Sequence, residues 1–125
     1  MTQEDKQLLL KDLSARLPYG VKCHFKYGSA EDDITLSCID NNVARFEYGW
    51  YGSFHVSIDA DYIKPYLRPM SSLTEEENKK LDEIWLKHTI EEGADYLNSI
   101  HVDYRGLIKK GLAIEVTKEN NPYEK

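Results

Sequence analysis

The chain has 125 residues, 41% apolar and 30% charged, with nine tyrosines; that size and balance fit one folded domain and exclude a disordered polyelectrolyte. Its longest apolar run, Leu8-Leu9-Leu10, is far too short to span a bilayer. The acidic opening Thr2-Gln3-Glu4-Asp5 lacks the basic flank of a secretory signal, so a cytoplasmic protein with no membrane partner is expected. A net charge of −6 without a dense Lys or Arg run disfavours nucleic acid as a partner, and Cys23 and Cys38 provide neither a disulfide framework nor a zinc motif, so no metal or cofactor is expected.

Thr2 is placed to cap a first helix by accepting the Asp5 amide, with Glu4 and Asp5 favoured by the helix dipole. Leu9, Leu10, Leu13 and Leu17 then share one face of about four turns, ending before Pro18-Tyr19-Gly20. From Val21 the period becomes two. Val21, Cys23, Phe25 and Tyr27 alternate with Lys22, His24 and Lys26, and Ile34, Leu36 and Cys38 repeat the pattern in a second strand. An antiparallel register whose paired numbers sum to 61 sets Cys23 opposite Cys38, Phe25 opposite Leu36 and Tyr27 opposite Ile34, with a loop over 28–33.

Asp40-Asn41-Asn42 supplies turn chemistry before a third strand carrying Ala44, Phe46 and Tyr48, and Phe54, Val56 and Ile58 mark a fourth. These strands predict a curled antiparallel four-stranded meander, with a small barrel as its extreme form, over residues 1–61 together with the first helix. Pro65 and Pro69 argue against a sheet, so 62–73 is expected to be an ordered surface connector.

The helical half, 74–116, begins at Thr74, which stands at capping-box spacing from Glu77, and Leu81, Ile84, Trp85 and His88 form its stripe. Thr89 and Glu92 repeat that spacing, predicting a separate helix with Ala94, Leu97 and Ile100. A single turn between Gly106 and Gly111 and a short extended segment over 112–116 follow, and the polar tail 117–125 is expected to fray. The fold class is α+β: an N-terminal helix and two C-terminal helices packed on the curled sheet, in one domain over 1–125.

Three blocks carry a resemblance. They are Asp12-Leu13-Ser14-Ala15-Arg16-Leu17-Pro18-Tyr19-Gly20-Val21-Lys22, then Lys64-Pro65-Tyr66-Leu67-Arg68-Pro69-Met70-Ser71-Ser72 leading into Thr74, and Asp103-Tyr104-Arg105-Gly106-Leu107-Ile108 with Lys110-Gly111-Leu112-Ala113. Together they resemble a family of uncharacterised short proteins encoded by gut Bacteroidales genomes, prophages and other mobile elements. The resemblance implies a cytoplasmic accessory protein, phage-borne or carried by a mobile element, and assigns no residue a role.

Candidate chemistry is sparse. His24, His55, His88 and His101 lack ligand spacing, and His24 and His55 fall on the wet faces of their strands; a small hydrolase would need them to converge with an acid such as Glu47. Cys23 has an inward pattern position unsuited to a nucleophile. The aromatic loop with Tyr48, Trp50 and Tyr51 combines contact area with polar tips, which suits a partner surface as well as a cover over the sheet end. Tyr62, Tyr66, Arg68, Tyr104 and Arg105 either pin the connector to the C-terminal segment or present a peptide-binding surface, pinning being favoured.

Residues 74–97 hold eight acids against three lysines. Glu75, Glu76, Glu77, Asp82 and Glu83 therefore support a rival reading, an acidic modulator that mimics nucleic acid against a basic host protein. The leading expectation is a non-enzymatic accessory protein that binds another protein, with a homodimer through an open sheet edge as a further arrangement.

Overall fold

The computed structural model describes residues 2–27, 30–40, 43–47, 53–57, 62–87 and 89–123. The first helix, α1, covers Gln3–Arg16 and is capped as its sequence requires: Thr2 Oγ1 accepts the Asp5 amide at 3.1 Å, and the Asp5 carboxylate accepts the Thr2 amide at 3.4 Å. Leu9 and Leu13 are buried, but so are Asp12 and Arg16 on the same helix. A 3-10 turn over Leu17–Tyr19 stops at Gly20, whose φ of +70° is the left-handed conformation that glycine adopts without penalty.

Strands β1 (Lys22–Tyr27) and β2 (Ala30–Thr35) pair antiparallel, and β3 (Cys38–Asp40), β4 (Val43–Glu47) and β5 (Ser53–Ser57) form a second antiparallel sheet in that order. β1 with β2, and β3 through β5, thus pair with their sequence neighbours, and the chain passes from one sheet to the other at a corner. At Leu36 and Ser37 the chain leaves β1 and turns toward β4: the Leu36 amide donates to the Val21 carbonyl, and the Ser37 amide and hydroxyl both donate to the Arg45 carbonyl. The corner closes over Phe25 and Phe46, stacked at 4.8 Å, with Leu36 and Ala44 buried in the same cluster. No barrel closes among the described residues.

The register of β1 on β2 differs from the expected one. Paired numbers sum to 57, so Cys23 faces Ile34, Phe25 faces Asp32 and Tyr27 faces Ala30, while Cys38 lies opposite Arg45 in the other sheet. The parity that keeps each side chain on its face is preserved, but β2 starts at Ala30 and takes the acids 31–33 into the strand. Glu31 and Asp33 there meet Lys26 and His24 across the polar face, an attraction that a purely apolar reading of register leaves out.

Residues 62–69 are also not a surface connector. They form β6 (Tyr62–Pro69), which pairs antiparallel with β1 and parallel with both β7 (Val102–Asp103) and β8 (Ile114–Glu115), and Ile63, Pro65, Tyr66 and Leu67 are buried. Pro65 is tolerated because the parallel partners begin only at Tyr66 and Arg68, so its missing N–H falls before that ladder starts. Pro69 ends the strand and leads into a 3-10 turn over Met70–Ser72.

Helices α2 (Glu75–Lys87) and α3 (Ile90–Ser99) are separate, each beginning at its threonine cap: Thr74 accepts the Glu77 amide and Thr89 accepts the Glu92 amide. Leu81 and Leu97 pack with Val102 in a second, smaller core. The expected turn lies between Gly106 and Gly111, held by the Asp103 carboxylate, which accepts the amides of Gly106, Leu107 and Ile108 at 2.9–3.0 Å.

The tail does not fray over 117–123. Asn120 Oδ1 accepts the Thr117 amide, and the Tyr123 hydroxyl accepts the Lys22 amide at 3.0 Å and donates to the Tyr66 carbonyl at 2.8 Å. The Tyr123 ring stacks on His101 at 3.9 Å. One aromatic anchor thus orders a segment whose composition is otherwise that of solvated coil.

Candidate functional site

On the outer face of the first sheet the alternation of β1, β2 and β6 brings His24, Glu31, Asp33 and Tyr66 together. His24 Nδ1 lies 2.6 Å from Asp33 Oδ1 and Nε2 lies 2.6 Å from Glu31 Oε1, while the Tyr66 hydroxyl donates to the same Asp33 oxygen at 2.7 Å. Partial burial opposes protonation of the imidazole, but the hydrogen bonds to Asp33 and Glu31 outweigh it and raise the His24 pKa. A carboxylate acceptor on each nitrogen favours the protonated ring, which works against use of His24 as a base. Burial and the bond to Asp33 likewise push the Tyr66 phenol up, so it donates and does not attack. The two carboxylates stand on opposite sides of the ring and cannot converge on one ion. Among the described residues no group of three or more His, Cys, Asp or Glu side chains could hold a metal.

His55 lies apart from this cluster, in the second sheet, beside a pocket of about 310 Å³ shared with Cys38, Asp40, Val43 and Arg45. The Glu47 side chain, His88 and the aromatic candidates Tyr48, Trp50 and Tyr51 lie outside what the structure describes. His101 is half-buried at φ +61° beneath Tyr123, and burial, with the nearby Arg16 and Arg68 charges, lowers its pKa to about 4. Cys23 is fully buried, and desolvation followed by the Asp12 charge pushes its thiol up, away from nucleophilic use.

The remaining sequence candidates fall into three separate networks. Tyr66 belongs to the His24 cluster. Arg68 holds both carboxylate oxygens of Glu77, at 2.6 and 2.8 Å, and donates to the Ser72 carbonyl, so β6 is clasped to the start of α2. Two guanidinium groups lie over the Tyr104 ring, Arg105 at 4.4 Å and Arg16 at 5.7 Å from its centroid. Arg105 and Arg16 both pair with the fully buried Asp12, at 2.7 and 2.9 Å, and Arg16 also donates to the Val102 carbonyl at 2.6 Å. These contacts join α1, β6, α2 and β7, so all four side chains have intramolecular partners.

A different surface emerges where α2 meets α3. The stripe through Leu81 and Ile84 faces inward, which leaves Leu86 on the opposite side of α2, and the break at Thr89 puts Ile90 at the first position of α3. Leu86 is 85% exposed and Ile90 83%, beside Trp85 at 48%. The Trp85 indole is seated against α3 where Gly93 has no side chain; a Cβ there would collide with the indole nitrogen. Glu75, Glu76, Asp82, Glu83, Glu91, Glu92 and Asp95 are exposed on these two helices, whereas Glu77 is held by Arg68. Sequence reasoning placed Trp85 in the stripe and did not single out Leu86 or Ile90. The available signal was that each falls off the apolar face of its helix.

Among the described residues no helix is long and apolar enough to cross a membrane. Comparisons with protein-family models, curated proteins and solved structures returned no match, and the corner formed by Trp85, Leu86 and Ile90 therefore stands on its geometry alone.

Proposed function

We propose that this chain is a non-enzymatic protein-binding module that presents the α2–α3 corner to another protein. The observation that carries this reading is the near-complete exposure of Leu86 and Ile90 at the junction of two capped helices, next to a Trp85 ring already fixed against α3. A large aromatic flanked by branched aliphatic side chains is the composition that dominates binding energy at protein interfaces, and presenting it on helices limits the ordering cost of association. A cytoplasmic accessory role in a phage or mobile element belongs to the same proposal and draws its support from the family resemblance.

Affinity capture from the native host tests the reading, with Leu86→Ser/Ile90→Ser, Trp50→Ala and Glu76→Lys compared against the wild-type chain. Loss of a stoichiometric partner with the double variant is expected. Loss with Trp50→Ala alone would move the contact to the 48–52 loop. Loss with Glu76→Lys alone, together with strong salt sensitivity, would favour charge mimicry by Glu75, Glu76, Asp82 and Glu83, four acids that remain exposed after Glu77 is engaged.

A further inference from the structure

Around the exposed pair the charge is one-sided. Residues 81–99 carry Asp82, Glu83, Glu91, Glu92 and Asp95 against the single lysine Lys87. Asp82 and Glu83 precede Leu86 by four and three positions and so border it on the α2 surface, and Glu91 follows Ile90 directly. All three acids are exposed. A second copy of the chain docking through this corner would bring two such acidic rims together as its apolar tips met, and like charges placed opposite one another oppose association.

From this charge pattern, and resting on the reading of the corner as a contact surface, we infer that the occupant is a basic amphipathic helix of another protein. Its apolar side chains would cover Leu86 and Ile90, and its Lys or Arg residues would face Asp82, Glu83 and Glu91. Trp85, which precedes Leu86, is 48% exposed with its indole fixed against Gly93, so it adds a rigid aromatic edge to α2 at the same junction. Helix-in-groove recognition of this kind uses anchors at i, i+3 or i+4 spacing with complementary rim charges.

The test titrates the full chain with a 14-residue peptide that alternates Leu and Lys at helical spacing, and separately with its Leu/Glu counterpart, following the amide chemical shifts of Leu86 and Ile90 by NMR. Saturable shifts at these amides with the Leu/Lys peptide are expected, weakened at least about five-fold on going from low to high salt. No response to the Leu/Glu peptide is expected. Leu86→Asp/Ile90→Asp should abolish the shifts, and Glu83→Lys/Glu91→Lys should transfer the response to the Leu/Glu peptide; all four positions are exposed, so the fold is retained. Equal binding of both peptides overturns the basic partner and keeps the contact surface. Absence of binding together with a concentration-dependent dimer that Leu86→Asp dissolves makes a second copy the occupant and also overturns the inference. Absence of both binding and dimer overturns the inference and the contact surface together.

Discussion

The Arg68–Glu77 clasp can be isolated with one substitution, Glu77→Gln. The amide keeps an oxygen for the Thr74 amide, which Glu77 Oε1 accepts at 2.9 Å, and removes the charge facing Arg68 together with the second acceptor, Oε2, which takes the Arg68 Nη1 hydrogen bond at 2.8 Å. The hydrogen bond from Arg68 is the main cause that lowers the Glu77 pKa to about 2; partial burial opposes it and the Thr74 amide adds to it. Measured from an ordinary value of 4.5, that depression corresponds to ~3 kcal/mol at most. Both side chains are about one-fifth exposed, at 23% and 20%, so solvent screening reduces the contribution to roughly 1–2 kcal/mol. For a chain of this size that is a fall in Tm of roughly 4–10 °C at neutral pH. Because the folded pKa lies below the unfolded one, this contribution is complete above pH 4.5 and is lost as pH falls toward 2. Thermal unfolding of the wild type and of Glu77→Gln, followed by circular dichroism from pH 6 to pH 2.5, should give Tm curves that converge on acidification, since every other carboxylate is common to both proteins. A separation that stays constant over that range would refute the argument.

Asp12→Ala leaves Arg16 and Arg105 without their shared anion in the core and should cost roughly 3–5 kcal/mol by denaturant unfolding, whereas an exposed pair of the same i,i+4 spacing would cost under about 0.5. Tyr123→Phe removes the hydroxyl that joins the Lys22 amide to the Tyr66 carbonyl and should lower stability by roughly 1–2 kcal/mol; faster hydrogen exchange at the Lys22 amide locates the loss. His24 should titrate above its ordinary value of 6.5 in an NMR pH series, and with a raised folded pKa its contribution to stability is full below 6.5 and disappears as pH rises through the folded value. A midpoint at or below 6.5 would remove the two-carboxylate clamp.

The parts of the fold that were legible in the sequence depend on short-range physics. Each helix start at Thr2, Thr74 and Thr89 is specified by an oxygen three residues before the amide it accepts, so spacing alone locates it. Strand faces were legible for the same reason, because parity survives any slip by an even number of residues. Register was not, since moving from 61 to 57 depends on Glu31 and Asp33 meeting Lys26 and His24 across the sheet, an attraction between side chains that apolar alternation does not register. β6 was hidden by Pro65 and Pro69. A proline excludes a strand only where the ladder uses its N–H, and which side of β6 is paired at residue 65 is a property of the tertiary arrangement. Asp12 and Arg16 show the same limit: an i,i+4 pair looks identical on a wet and a dry face until Arg105, 93 positions away from Asp12, supplies the second cation.

That separation between local and distant information also bears on where function resides. The residues of the three resemblance blocks converge on contacts that hold helices to the sheet: Asp12, Arg16 and Arg105 in the core, Asp103 over the 106–108 turn, and Arg68 on Glu77. Such side chains are explained by folding. Leu86 and Ile90 are not, because they bury almost nothing and their replacement by polar residues should change stability by less than about 0.5 kcal/mol. A single exposed leucine would need no explanation. Two exposed aliphatic side chains fall at one helix junction, next in sequence to a half-exposed tryptophan seated over the glycine that admits it, on an otherwise acidic helix pair. On the proposed reading that apolar area is covered only when the partner docks, so its contribution lies in association and not in folding.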